Sequence, residues 1–81
     1  MRNVRKIKPR VEGIIKRIDP ALIVQATFYD EASDRFFVTI VDGPRKIEVT
    51  LLGREFDNGR YESVNASLQA ATERLKRVPI G

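Results

Sequence analysis

Hydrophobic positions follow a helical period at the two ends of this chain and alternate in its middle. Val4, Ile7, Val11, Ile14, Ile15 and Ile18 recur at intervals of three and four, one stripe of a helix. Pro9 suits a first helical turn but would kink a helix begun near Asn3. The expected helix therefore runs from Pro9 to Ile18, with residues 1–8 a basic arm, extended or loosely helical. Gly13 weakens such a helix by up to ~1 kcal/mol relative to alanine, unless close packing needs the missing side chain. Asp19-Pro20 stops it.

Leu22–Tyr29 alternates. Taken as an unbroken strand, it sends Leu22, Val24, Ala26 and Phe28 to one face, the expected core side, and Ile23, Gln25, Thr27 and Tyr29 to the other. A polar turn over Asp30–Asp34 leads to Arg35–Val41, rich in the aromatic and β-branched types that strands favour. Asp42-Gly43-Pro44 reverses the chain into Arg45–Leu52, where Ile47, Val49 and Leu51 alternate with polar neighbours. Gly53–Phe56 reads as an extension of that strand past a bulge, and Asp57-Asn58-Gly59 as a turn. Val64, Leu68, Ala71, Leu75 and Val78 mark a second helix, with Ser63 placed to cap it and Pro79 to end it. Arg74, Lys76 and Arg77 put positive charge near its C-terminus. The prediction is a single α+β domain over residues 1–81. It is a three-stranded antiparallel meander with two helices packed on one face, in the order α-β-β-β-α.

Charge changes the picture more than composition does. The first 20 residues hold seven of the fifteen basic side chains against two acids, so the formal charge of +4 is a strongly basic end attached to a nearly neutral remainder. The chain has no cysteine and no histidine, which removes thiol chemistry, thiolate metal sites and the commonest base near neutral pH. Convergent acid-base or nucleophilic constellations are also missing, so a catalytic role is not expected, nor any cofactor or metal. Asp30, Glu31 and Asp34 share a turn without the spacing of a calcium loop. No apolar run approaches the ~20 residues of a membrane span. A soluble, cytoplasmic protein is the expectation.

Two surfaces are candidates for function. The basic set Arg2, Arg5, Lys6, Lys8, Arg10, Lys16 and Arg17 suits phosphate contacts with DNA or RNA, which give salt-sensitive affinity and little sequence information. The alternative is an acidic protein partner, or a protein-interaction or assembly domain, homodimeric included, with no nucleic-acid role. The second surface is the sheet face away from the core. There an outward Phe37 near Tyr29 would form a small aromatic platform of the kind that stacks unpaired bases. The alternative, and the stronger expectation, is partial cover of this face by the arm, the 53–60 segment or a partner subunit. A continuous patch joining Arg10, Lys16 and Arg17 to Arg45 or Arg74 would favour nucleic acid. An uncovered apolar patch holding Phe37 and Tyr29 would favour a protein interface.

The element order resembles, in topology alone, that of double-stranded-RNA-binding domains, which contact phosphates through lysines at the start of their last helix. Here that start is Ser63-Val64-Asn65-Ala66-Ser67, with no basic residue before Arg74. That activity is therefore not carried over. A meander followed by a helix, over residues 35–77, is also similar to small antitoxins that bind bacterial RNase toxins, a resemblance that implies a protein partner.

Overall fold

The first helix, α1, runs Val4–Ile18 with Pro9 inside it. It begins five residues before the start expected from Pro9, and residues 4–8 are helix rather than an arm. Pro9 withholds one backbone N–H and crowds the preceding turn, at a cost of about 3 kcal/mol in a helix interior. Against this, the early start buries Ile7 in the core and packs Val4 beside it, and a buried isoleucine contributes about 1.5–3 kcal/mol. The hydrophobic stripe is continuous through the proline, and burial of Ile7 with Val4 packed against the core offsets much of that cost.

The computed structural model describes residues 4–57 and 61–79. After α1 come β1 (Ile23–Asp30), β2 (Arg35–Asp42) and β3 (Arg45–Leu52), then a 3-10 turn at Gly53–Phe56 and the helix α2 (Glu62–Lys76). The sheet is antiparallel in the order β1-β2-β3, so β1 and β3 are both edge strands. The fold is thus α+β, a three-stranded antiparallel sheet flanked by two helices, in the order read from the sequence. α1 packs on β1 and α2 on β3. Val11, Ile15, Leu22, Phe36, Val38, Ile40, Leu51, Val64, Leu68, Ala71 and Leu75 are fully enclosed between sheet and helices. Gly53–Phe56 coils instead of extending β3, which turns Phe56 into the core. Asn58 and Gly59, read as part of a turn, lie outside the described residues.

The β2–β3 hairpin closes through Gly43 and Pro44, with Asp42 paired to Arg45. Gly43 has φ of 57°, which a side chain would disfavour, and Pro44 holds the next φ negative. This is the two-residue turn whose twist matches the strands. At the other end Asp34 takes φ of 53°, a conformation that aspartate tolerates better than most residues.

β1 departs from simple alternation. Val24 pairs with Ile40, yet Ala26 pairs with Thr39, so Gln25 is an extra residue with no partner of its own. This bulge reverses the facing of everything after it. Thr27 and Tyr29 turn toward the core beside Val38 and Phe36, and Ala26 and Phe28 turn outward. Phe28 is 64% exposed, whereas Tyr29 lies against Phe36 with ring centroids 4.5 Å apart. The expected inward Phe28 and outward Tyr29 are therefore exchanged. The exchange satisfies Tyr29 at both ends, because its ring is packed and its hydroxyl donates to Asp34 Oδ1 at 2.5 Å.

This assignment separates two neighbouring substitutions. Tyr29→Ala is expected to lower unfolding stability by about 3 kcal/mol or more, as truncation of packed aromatics does. Phe28→Ala should stay within about 1 kcal/mol of the parent. Urea unfolding of both variants checks it, and the reverse order would place the wrong ring in the core.

Candidate nucleic-acid interface

α1 carries six basic side chains and one acid, Glu12, a net +5 from 6 − 1. The whole chain carries +4, so everything outside this helix sums to −1 (4 − 5). Arg5, Lys6, Lys8, Arg10, Lys16 and Arg17 are all exposed. Among the described residues none of the six meets a carboxylate at ion-pair distance. Arg2 lies outside the described residues.

Helical geometry sorts these cations onto two flanks of the buried stripe. Lys6, Arg10 and Arg17, with Gly13 between, follow intervals of four, three and four and share one flank. Arg5, Lys8 and Lys16 fall on the other, with Glu12. The first flank faces α2. Arg10, Gly13, Ile14 and Arg17 line one side of a groove of about 350 Å³, and Tyr61 and Asn65 line the other. Arg10 and Arg17 stand about 10 Å apart along the helix axis, seven residues at ~1.5 Å each.

The α2 wall is built from the core outward. Phe36 meets Phe56 edge-on at 5.1 Å, Phe56 meets Tyr61 edge-on at 5.6 Å, and the Arg10 guanidinium lies over the Tyr61 ring at 5.3 Å. Such a cation over an aromatic face is held by the ring's quadrupole while its N–H groups remain free at the edge. Glu55 fixes where α2 starts. One of its carboxylate oxygens accepts the Leu52 N–H at 2.7 Å and the other accepts the Ser63 hydroxyl. Ser63 is therefore inside the helix and engaged with Glu55. The N-cap position belongs to Tyr61, in a left-handed conformation with φ of 57°.

Other cations are committed elsewhere. Lys16 Nζ donates to the carbonyls of Pro20 and Leu22, at 3.2 and 3.0 Å, tying the turn between α1 and β1. An Arg45 guanidinium nitrogen donates to the Lys76 carbonyl at 2.6 Å, closing the C-terminal end of α2. Lys76 pairs with Asp19 at 3.7 Å. Arg74 sits on the far side of α2, in a shallow pocket with Glu48 and Ser67. Neither Arg45 nor Arg74 extends the basic surface, so the continuous patch expected of a broad nucleic-acid surface does not form and the cations stay on α1 and its groove.

On the opposite face of the sheet, Tyr29 is not part of a platform with Phe37. Phe28 takes that place, its ring 6.2 Å from Phe37 and tilted by 31°. The apolar patch around Phe37 is uncovered by either helix. In the Asp30–Asp34 turn, the Ser33 hydroxyl donates to Asp30 Oδ2 at 2.6 Å and Tyr29 holds Asp34. Among the described residues no three histidine, cysteine, aspartate or glutamate side chains gather as metal ligands would.

Compared with known proteins, the chain matches no protein-family model, no curated protein and no solved structure. No helix among the described residues is long and apolar enough to cross a membrane.

Tyr61, Asn65 and Phe28 are the candidate-surface residues that sequence reasoning missed. Nothing local marks Tyr61 and Asn65, because their place beside Arg10 follows from how α1 and α2 pack. Gly13 was legible as an anomaly, and its reason is not close packing. A Cβ built there meets nothing within 4 Å. Gly13→Ala is therefore expected to raise stability by about 0.5–1 kcal/mol through helix propensity alone. Chemical unfolding reads this directly, and a loss of stability would mean that α2 approaches Gly13 more closely than described.

Proposed function

We propose that this protein is a non-catalytic module that binds the phosphodiester backbone of a nucleic acid along the α2-facing flank of α1. The observation that carries this reading is the concentration of charge. One helix holds more positive charge than the whole chain's net value, and all six of its cations are exposed without carboxylate partners among the described residues. Lys6, Arg10 and Arg17 would each neutralise a phosphate. Tyr61 orients the Arg10 guanidinium, Asn65 adds an amide donor, and the missing side chain at Gly13 leaves room for a backbone to lie in the groove. The basic surface is one helix wide. That favours a single track of phosphates over the broad footprint of a protein that straddles a duplex. Contacts of this kind supply affinity without reading bases.

The reading is tested by fluorescence anisotropy with labelled single-stranded and duplex oligonucleotides of mixed sequence, between about 50 and 200 mM salt. Replacing Lys6, Arg10 and Arg17 with glutamine should weaken binding at least about tenfold at the lower salt. The slope of log affinity against log salt should flatten by about two to three, given ~0.7–0.9 per phosphate contact. Arg5→Gln with Lys8→Gln removes charge from the other flank and should have the smaller effect. Binding that is absent in the parent at 50 mM, or unchanged in the triple variant, would overturn the proposal. Equal competition by poly-glutamate would move the site to acidic proteins.

A further inference from the structure

The sheet face opposite the helices is apolar along β1 and β2 and uncovered. Ile23, at 57% exposure, and Phe28, at 64%, are the exposed large hydrophobic residues among the described ones, and both project from this face. Phe37 and Val41 stand beside them on β2, paired with Phe28 and Ile23. An apolar face of this kind on a small protein marks a site of interaction more often than chance exposure does.

The strand register lays this face out in rows. Two central rows cross the face. One is Phe28, Phe37 and Thr50; the other is Ala26, Thr39 and Glu48. The row above them is Asp30, Arg35 and Leu52, and the row below is Ile23, Val41 and Lys46. A two-fold axis midway between two facing sheets, parallel to them and running across the strands, reverses this order in a second copy. The Phe28 and Phe37 row then lies over the partner's Ala26 and Thr39 row, large side chains over small ones, twice. Asp30 and Arg35 fall over aliphatic side chains at the rim, and no like charges coincide. The face as a whole is neutral, with two acids and two bases, while the charge of +5 sits on α1 behind the core. Stacking two copies through this face therefore brings together no net charge and holds the two basic helices apart.

We propose that the outer sheet face is a self-complementary interface, through which two copies of this chain stack face to face with Phe28 and Phe37 seated over the partner's Ala26 and Thr39. Stacked sheets are twisted by about 30° relative to each other, so the fit is best in these central rows. The area of three short strands places the pair among small, reversible interfaces. The inference does not rest on nucleic-acid binding, since it concerns the opposite side of the molecule.

Sedimentation equilibrium of the full chain, from about 10 μM to 1 mM and at 0.2 M salt, tests it. The weight-average mass should rise with concentration toward twice the 9.2 kDa of one chain. Phe28→Glu and, separately, Ala26→Glu should each raise the dimer midpoint at least about tenfold. Neither should lower unfolding stability by more than about 1 kcal/mol, because both positions are exposed. Ala26→Glu leaves the Phe28 and Phe37 rings in place, so it removes the fit for a second copy but not an aromatic platform. A parent that stays monomeric to 1 mM would overturn the proposal. So would a dimer of equal strength in both variants, which would use another surface. A monomeric parent whose Phe28 and Phe37 resonances shift with single-stranded oligonucleotides would assign the face to bases instead.

Discussion

The facing of the second half of β1 depends on one unpaired residue. Gln25 has no partner across β1 and β2, and that single surplus position decides which of two adjacent aromatic rings enters the core. Strand geometry gives only two choices, because neighbouring side chains point to opposite faces. With the bulge, a tyrosine whose hydroxyl can reach Asp34 goes inward and a phenylalanine with no polar atom goes outward. The bulge thus satisfies a hydrogen bond inside and leaves an apolar ring outside. The outer face owes its character to this trade.

The inward tyrosine begins a line of aromatic contacts that crosses the molecule. Tyr29, Phe36, Phe56, Tyr61 and finally Arg10 touch in sequence, from the β1–β2 turn to the groove between the helices. Packed aromatic pairs prefer tilted and edge-on arrangements, and each constrains the next. The coil at Gly53–Phe56 is what lets Phe56 join this line, and Glu55 then fixes α2 with Tyr61 at its head. The groove is accordingly an outgrowth of the core.

The fold was legible because its elements are announced by period. The α-β-β-β-α order and the buried stripe Val64, Leu68, Ala71 and Leu75 follow from spacing and composition alone. What was hidden depended on tertiary choices. The β1 sequence fits an unbroken alternation as well as a bulged one, and only its pairing with β2 tells them apart. The start of α1 turned on whether burial of Ile7 outweighs an interior proline. The cap of α2 turned on Glu55, which draws Ser63 away from the role its position suggests. Of the seven basic residues singled out, charge alone could not show that Lys16 holds a turn while Arg10 lines a groove.

The meander also leaves two open edges, and they differ. β3 carries Arg45, Lys46 and Glu48, whereas β1 has no charged residue before Asp30 and relies on its bulge to break up a regular row of free backbone groups. Addition of β1 to β3 of a neighbour would be open-ended, repeating indefinitely from copy to copy. An irregular edge on one side and a charged edge on the other oppose that growth. The bulge at Gln25 belongs to the devices by which sheet edges avoid such pairing. A sequence change that straightened β1 would bring not only a misplaced tyrosine but a strand edge ready to recruit copies without limit.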